Sequence, residues 1–293
     1  MSLPEDSKSS ETRINFQTEP LIHFEVQGRL GNQLFCLSDA FSLSQYFNRK
    51  VVLDVSSVLQ EYGKPEWLEY ALEWEWAQVS TSPVVHLEIG ELNKVNVGVA
   101  NPKDFPPNSH FYGFNPSIRS LEESGLFRRG VFPFSKSKLT NVKKSQLALC
   151  VRRGDYHQNP HLGTLPGKYY KKALAEISEL LSNQEIVVFC DSREETERFL
   201  NANNIPFSKF DDHLSPLDAL RELSESQYII MANSTFSFWG SFFSNAYSFI
   251  PNPFYISEPR WGSKLSEGST VIRYMRLPQV HYFYRLILRK IWS

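Results

Sequence analysis

Hydrophobic and polar positions alternate along "LIHFEVQ": Ile22, Phe24 and Val26 fall on one face, His23 and Glu25 on the other. That two-residue period predicts a half-buried strand. Beyond "GRLGNQ" the period changes. Leu34, Leu37 and Phe41 recur at helical spacing, and "VVLDV" then returns to an apolar run of strand length. Strand, helix and strand within about 35 residues make the βαβ unit of a parallel sheet. From residue 56 to about 140 the pattern weakens, with Trp67, Trp74, Trp76 and the proline-rich "NPKDFPPN" interrupting it. The rhythm resumes at Leu147. "LALCV", "EIVVFC", "IPFSKF" and "YIIMA" read as strands; "KYYKKALAEISELL", "SREETERFLNAN", "SPLDALRELSES" and a segment from about Thr235 read as helices between and after them. Ser192 and Glu195 have capping-box spacing, and Ser215 before Pro216 supplies an N-cap and a proline at the first helical position.

Strictly alternating strands and helices imply a doubly wound, mostly parallel sheet. With the first unit this predicts an α/β protein of two Rossmann-like domains facing a central cleft. The expected boundaries are a disordered polar lead-in over 1–20, an N-terminal domain over 21–143 and a C-terminal domain over 144–293. The tail "HYFYRLILRKIWS" reads as a helix packed back on a domain with Arg285 and Arg289 solvated; peripheral membrane contact through its basic aromatic face is the alternative.

Size and charge narrow the classes. A chain of 293 residues that is 41% hydrophobic can bury two cores, and 31 Lys plus Arg against 32 Asp plus Glu leave a net charge of −1. No global field favours nucleic acid or an anionic membrane, so an anion site must be local. Cys36, Cys150 and Cys190 are far apart and odd in number, which reads as free buried thiols in a reducing compartment. No apolar window reaches the ~18 residues of a membrane span and the first twenty residues lack a signal-peptide core. A cytoplasmic location is expected, with a peripheral position on the cytoplasmic face of a membrane as the variant.

Candidate chemistry gathers at three strand-to-helix turns, on the sheet edge where ligands of doubly wound folds bind and helix N-termini present free N–H groups. In "GRLGNQ", Gly28 and Gly31 permit close backbone approach, Arg29 offers a fork of donors, and Asn32 caps the helix or holds a ligand hydroxyl. The spacing is not the dinucleotide G-x-G-x-x-G. In "VRRGDY", Arg152 and Arg153 point to opposite faces, so one enters the cleft while the other pairs with Asp155; a guanidinium set by a carboxylate suits bidentate phosphate contact. In "ANSTFSFWG", Asn233, Ser234 and Thr235 either cap a helix or receive phosphate oxygens, while Phe236, Phe238 and Trp239 read as core. Asp218 sits in the first turn of its helix, where an acid is favoured by the dipole alone. His157 and His161 lack cysteine partners at zinc-ligand spacing, and no DxD-type pair points to a metal-bound nucleotide sugar. Each turn has an ordinary structural reading; three together favour a phosphate-bearing ligand.

Taken together, "GRLGNQLF", "VRRGDY" and "ANSTFSFWG" resemble the α-1,2-fucosyltransferase family (glycosyltransferase family 11), within the wider α-1,2, α-1,6 and protein O-fucosyltransferase superfamily. The likeness runs from about Ile22 to about Tyr255, and "FCDS" at 189–192 resembles the family's short acidic segment. The resemblance implies a GT-B fold and inverting, metal-independent transfer of L-fucose from GDP-β-L-fucose to a sugar hydroxyl, often the 2-OH of galactose. It implies that Arg152 binds the β-phosphate of the leaving GDP, that Arg153 and Asp155 shape that loop, and that Ser234 and Thr235 contact phosphate. Asp218 would contact guanine or order a loop, and Arg29 with Asn32 would meet the donor across the cleft. No cofactor is implied. The partners are the GDP-sugar and a glycan acceptor, lipid-linked or free, with no nucleic acid. Cys36 stands where the family usually has Gln, and Cys150 stands where it usually has His, which opens the alternatives of another GDP-deoxysugar such as colitose and of a non-catalytic nucleotide-sugar-binding or lectin-like protein. Asp155, His157 and His161 all stand near enough in sequence to act as base, and the residues do not choose among them.

Overall fold

In the computed structural model, which describes residues 17–71, 73–82, 94–98, 100–107, 109–114, 124–134, 144–157, 164–179, 184–212, 215–252 and 269–273, the chain builds two parallel sheets. The first uses β1 (Gln17–Glu25), β2 (Arg49–Asp54), β3 (Ala77–Ser80), β4 (Lys94–Asn96) and β5 (His110–Tyr112), in the order β3-β2-β1-β5-β4. The second uses β6 (Lys144–Val151), β7 (Glu185–Cys190), β8 (Lys209–Phe210), β9 (Ser226–Ile230), β10 (Tyr247–Asn252) and β11 (Thr270–Arg273), in the order β11-β10-β9-β6-β7-β8. Parallel neighbours cannot be joined by tight turns, so helices carry the crossovers. They are α1 (Leu30–Phe47), α2 (Ser56–Tyr62), α3 (Leu68–Ala71), α4 (Gly167–Glu176), α5 (Arg193–Ala202), α6 (Pro216–Glu225) and α7 (Thr235–Phe243). This is the GT-B arrangement of two Rossmann-like units.

Strand β6 shows why its sequence is apolar without a break from Leu147 on. Ala148 and Cys150 face one cluster, while Leu147, Leu149 and Val151 face another. A strand buried on both faces has no polar alternation. The second of these clusters lies within the C-terminal unit, where Tyr169 donates from its hydroxyl to the carbonyls of Met231 (2.8 Å) and Phe249 (2.9 Å). The first spans both units. Leu34, Phe35 and Leu37 of α1 join Leu220 of α6 and Phe238 and Trp239 of α7 in one buried set, with the Phe35 and Trp239 rings 4.8 Å apart. The two sheets therefore share a core along their α1–α7 seam.

Several expectations shift. Strand β1 begins at Gln17, so the final four residues of the expected lead-in are ordered by pairing, with Gln17 opposite Arg49; residues 1–16 lie outside the described residues. Only Lys209 and Phe210 of "IPFSKF" form a strand, at the sheet edge, where one neighbour is available for pairing. Ser192 takes the N-cap position of α5 but makes no side-chain cap, whereas Ser215 caps α6 by accepting from the Asp218 N–H at 3.1 Å. Cys36 and Cys150 are buried, but Cys190 is exposed, because it ends β7 at the sheet edge with its side chain beside the cleft. The C-terminal tail lies outside the described residues. Among the described residues no helix is long and apolar enough to cross a membrane.

Candidate functional site in the interdomain cleft

A cavity of about 810 Å³ opens between the two units. Its N-terminal wall is formed by Gly28 to Gln33, Tyr62 to Glu66 and Phe114; its C-terminal wall by Cys150 to Arg152, Asp155, Tyr156, Phe189 to Asp191, Asp211 and Ser234 to Phe236. Most of these residues follow the carboxyl ends of β1, β5, β6, β7 and β8 or open α1 and α7, while Tyr62 to Glu66 come from the end of α2, so two helix N-termini meet at the cavity with their partial positive charge.

Arg152 stands on the C-terminal wall with a side chain 19% exposed. Its Nε lies 3.0 Å from Asp191 Oδ2, its Nη2 donates to both oxygens of Asp155 at 3.0 Å, and its guanidinium carbon sits 4.9 Å from the centre of the Tyr156 ring. The Nε contact is an ion pair off the N–H direction rather than an aligned hydrogen bond, since Nε has no geometric partner despite the distance. Asp191 also accepts the backbone N–H groups of Arg153 (2.9 Å) and Gly154 (3.0 Å), so one buried carboxylate ties the turn after β6 to the end of β7. A Cβ on Gly154 would come within 2.8 Å of that carboxylate, which explains the glycine. The neighbouring arginine does something else. Arg153 is buried, donates from Nη2 to the Leu165 carbonyl at 2.6 Å and lies 3.4 Å over the Phe199 ring. Burial pulls its pKa below the ordinary guanidinium value. The two arginines do diverge, but Arg152 both enters the cleft and pairs with Asp155, and Arg153 is a structural pin rather than a donor contact.

Across the cavity, Gly28 has φ +72°, the left-handed conformation that glycine permits without strain. The turn is held by Gln33, whose Nε2 donates to the Gly28 carbonyl (2.6 Å) and whose Oε1 accepts from Trp67 Nε1 (2.7 Å). Arg29 takes the N-cap position of α1 and Asn32 lies inside the helix, so Asn32 is not its cap. Instead Asn32 Oδ1 accepts from the Thr235 hydroxyl at 2.8 Å. Gly31 is explained by the same contact. A Cβ there would lie 2.5 Å from Thr235 Oγ1 and 2.7 Å from the Phe236 nitrogen, and the Gly31 carbonyl accepts from Trp239 Nε1 at 2.8 Å. Its missing side chain lets α1 meet α7, rather than clearing room for a ligand.

Ser234 caps α7 by accepting from the Ser237 N–H at 3.2 Å, and it lines the cavity together with Thr235. Asn233 is buried and does not line it. Asp218 does not either: its carboxylate turns along α6 to Arg221, 3.2 Å away. The side chain of His157 and the whole of His161 lie outside the described residues. Three groups were not among the residues singled out from sequence. Asp191 was signalled only by "FCDS"; Glu66, whose Oε2 accepts from Ser215 Oγ (2.6 Å) and the Leu217 N–H (2.9 Å), caps α6 from the opposite domain; Tyr62 presents an exposed ring to the cavity. The last two come from the unpatterned region and carried no signal.

The profile of glycosyl transferase family 11 matches residues 135–258 of this chain. The matched segment holds Arg152, Asp155, Asp191 and the Ser234 turn, while the Gly28 to Gln33 wall lies outside it. Its curated relatives include the O-antigen biosynthesis glycosyltransferase WbnK of Escherichia coli, 26% identical over an alignment of 267 residues that covers 74% of this chain and 88% of that protein. They also include an alpha-1,2-colitosyltransferase of Escherichia coli, 28% identical over 167 residues, covering 50% and 57%. Among solved structures, the E. coli heptosyltransferase WaaC with ADP aligns at TM-score 0.45 and 11% identity over 92% of this chain and 99% of that one. The fucosyltransferase NodZ from Bradyrhizobium aligns at 0.47 and 12% over 83% and 97%. The similarities agree on glycosyltransferase activity.

Proposed function

We propose that the protein transfers a deoxyhexose, L-fucose in the first instance, from its GDP-linked form to a galactoside hydroxyl, with inversion and without a divalent metal. The observation that carries this reading is Arg152, held in the cleft by Asp191 and Tyr156 between two helix N-termini. When the bond from the anomeric carbon to the β-phosphate oxygen breaks, its electron pair goes to the diphosphate and positive charge develops on the sugar. A fixed guanidinium and the open N–H groups of α1 and α7 stabilise that leaving charge more in the transition state than before it. Arg29, from the facing wall, supplies a second cation to the same anion, and Ser234 supplies a hydroxyl. The acceptor oxygen attacks the face of the sugar opposite the diphosphate, which inverts the anomeric centre. We place the acceptor along the N-terminal wall near Tyr62 and take it to be an O-antigen-type glycan, as the name of the WbnK relative suggests.

A colitosyl donor is the second reading. It is favoured by the colitosyltransferase relative and by Cys150, which lines the cavity where the resemblance calls for histidine and whose thiol burial keeps protonated and neutral. The test is a donor panel with a galactosyl acceptor in EDTA, following GDP release and product mass. Turnover with GDP-fucose supports the first reading and turnover with GDP-colitose alone the second. GDP binding without release from either donor would leave a nucleotide-sugar-binding protein, and dependence on added metal would refute the proposed chemistry.

A further inference from the structure

Asp155 occupies an unusual place. Both its oxygens face Arg152 Nη2 at 3.0 Å, and one of them also lies 3.9 Å from Arg29 Nη2 on the opposite wall. A carboxylate thus stands between Arg152 and Arg29, two of the three cations that, counting Lys64, line the cleft among the described residues. It does not hold Arg152 alone, because Asp191 pairs with Nε at 3.0 Å from behind and Tyr156 covers the guanidinium face. It can also leave: Asp155 is 49% exposed, its 3.9 Å pair with Arg29 (57% exposed) is weak, and its 3.0 Å pair with the less exposed Arg152 (19%) is the stronger of the two. We infer that the Asp155 carboxylate is a built-in stand-in for the donor's diphosphate, bridging Arg152 and Arg29 across the cleft and displaced when the diphosphate binds.

This rests on the reading of the cleft as a diphosphate site, and it separates two roles that sequence reasoning merges. A carboxylate that orients its arginine helps the ligand bind; one that occupies the ligand's place opposes it. The stand-in keeps the cations compensated in the unliganded protein and lowers donor affinity by the strength of the pairs that must break, with carboxylate–phosphate repulsion added. Asp155→Asn keeps the shape and removes the charge.

Calorimetric titration of the full chain with inorganic pyrophosphate and, separately, with GDP tests this, using wild type, Asp155→Asn and Asp155→Ser. The stand-in predicts that both variants bind pyrophosphate roughly two- to fivefold more tightly than wild type, as release of an exposed pair allows. Unchanged or weaker pyrophosphate binding in the two folded variants overturns it and makes Asp155 an orienting group. If wild type binds pyrophosphate but not GDP, the nucleotide reading fails while the pyrophosphate comparison still decides the stand-in. Binding of neither ligand by wild type overturns both.

Discussion

Replacing Gly31 by alanine sets two effects of opposite sign against each other. In a helix, Gly→Ala ordinarily stabilises by about 0.4–1 kcal/mol, because the unfolded chain loses freedom. At Gly31 the new Cβ would lie 2.5 Å from Thr235 Oγ1, 2.7 Å from the Phe236 nitrogen and 2.8 Å from the Thr235 carbonyl carbon, and two of these are backbone atoms that no rotamer change can move aside. Restoring ordinary contact needs α1 and α7 to part by roughly an ångström, and such overpacking costs about 1–3 kcal/mol. The same separation stretches the Thr235–Asn32 and Trp239–Gly31 hydrogen bonds, each with a net value of about 1 kcal/mol. The expected net loss is about 2–3 kcal/mol, a fall in Tm of about 5 °C or more for a chain of this size. Thermal unfolding followed by circular dichroism measures it. Gly63→Ala separates strain from contact, since Gly63 has φ +81° and ψ −169° but no atom within 4 Å of the added Cβ, so only backbone strain of about 1–3 kcal/mol applies. A Gly31→Ala protein as stable as wild type, or more stable, would refute the argument that this glycine exists for the contact between the domains.

Further outcomes are expected. Asp191→Asn should loosen the 152–154 turn, reducing donor affinity and turnover together and lowering stability by about 1–3 kcal/mol, measured by kinetics and urea unfolding; unchanged kinetics would remove Asp191 from the site. Glu66→Ala takes away the cross-domain cap of α6 and should cost about 0.5–2 kcal/mol, read by the same unfolding curves. Stability should fall in alkali, because burial pushes Cys36 up to about 12 and Cys150 higher still, whereas unfolded thiols ionise near 8.5. The folded state then holds protons that the unfolded state has lost, so stability is full below the unfolded pKa and declines above it, by about 1.4 kcal/mol per pH unit for each thiol. Cys36→Ala and Cys150→Ala should flatten that decline in urea titrations between pH 9 and 10.5. Cys190 is the exposed thiol among the three and lines the cleft, so it should alkylate first, slowly near neutrality because desolvation raises its pKa, and GDP should protect it.

The C-terminal unit was legible from β6 to α7, apart from the two-residue β8, because most of its strands and helices are long enough for periods to repeat; β10, with its Pro251, and the four-residue β11 were not read. β6 and β7 read as apolar runs buried on both faces, and Ser215 with Pro216 announces α6. The middle of the N-terminal unit was not, because β3, β4 and β5 span only three or four residues each, too short for a period, and Trp67, Trp74 and Trp76 are spent on one stacked cluster with rings 5.2–6.0 Å apart. At the site, residue types indicated an anion-compatible edge, but direction depended on tertiary contacts. Which arginine faces the cleft follows from Leu165 and Phe199 receiving Arg153, and neither position is marked in the sequence. Gly31 and Asn32 looked like ligand contacts because a helix–helix seam and a phosphate turn call for the same small or amide side chains.

The central claim is that Arg152 stabilises the charge on the departing nucleoside diphosphate. The most direct measurement is single-turnover GDP release from the GDP-sugar in EDTA, comparing wild type with Arg152→Ala at saturating donor and matched thermal stability. The account predicts metal-free release by wild type and a rate lower by roughly 10²–10³ in the variant. Release by Arg152→Ala within a few-fold of wild type, or a wild-type reaction that EDTA abolishes, would contradict it.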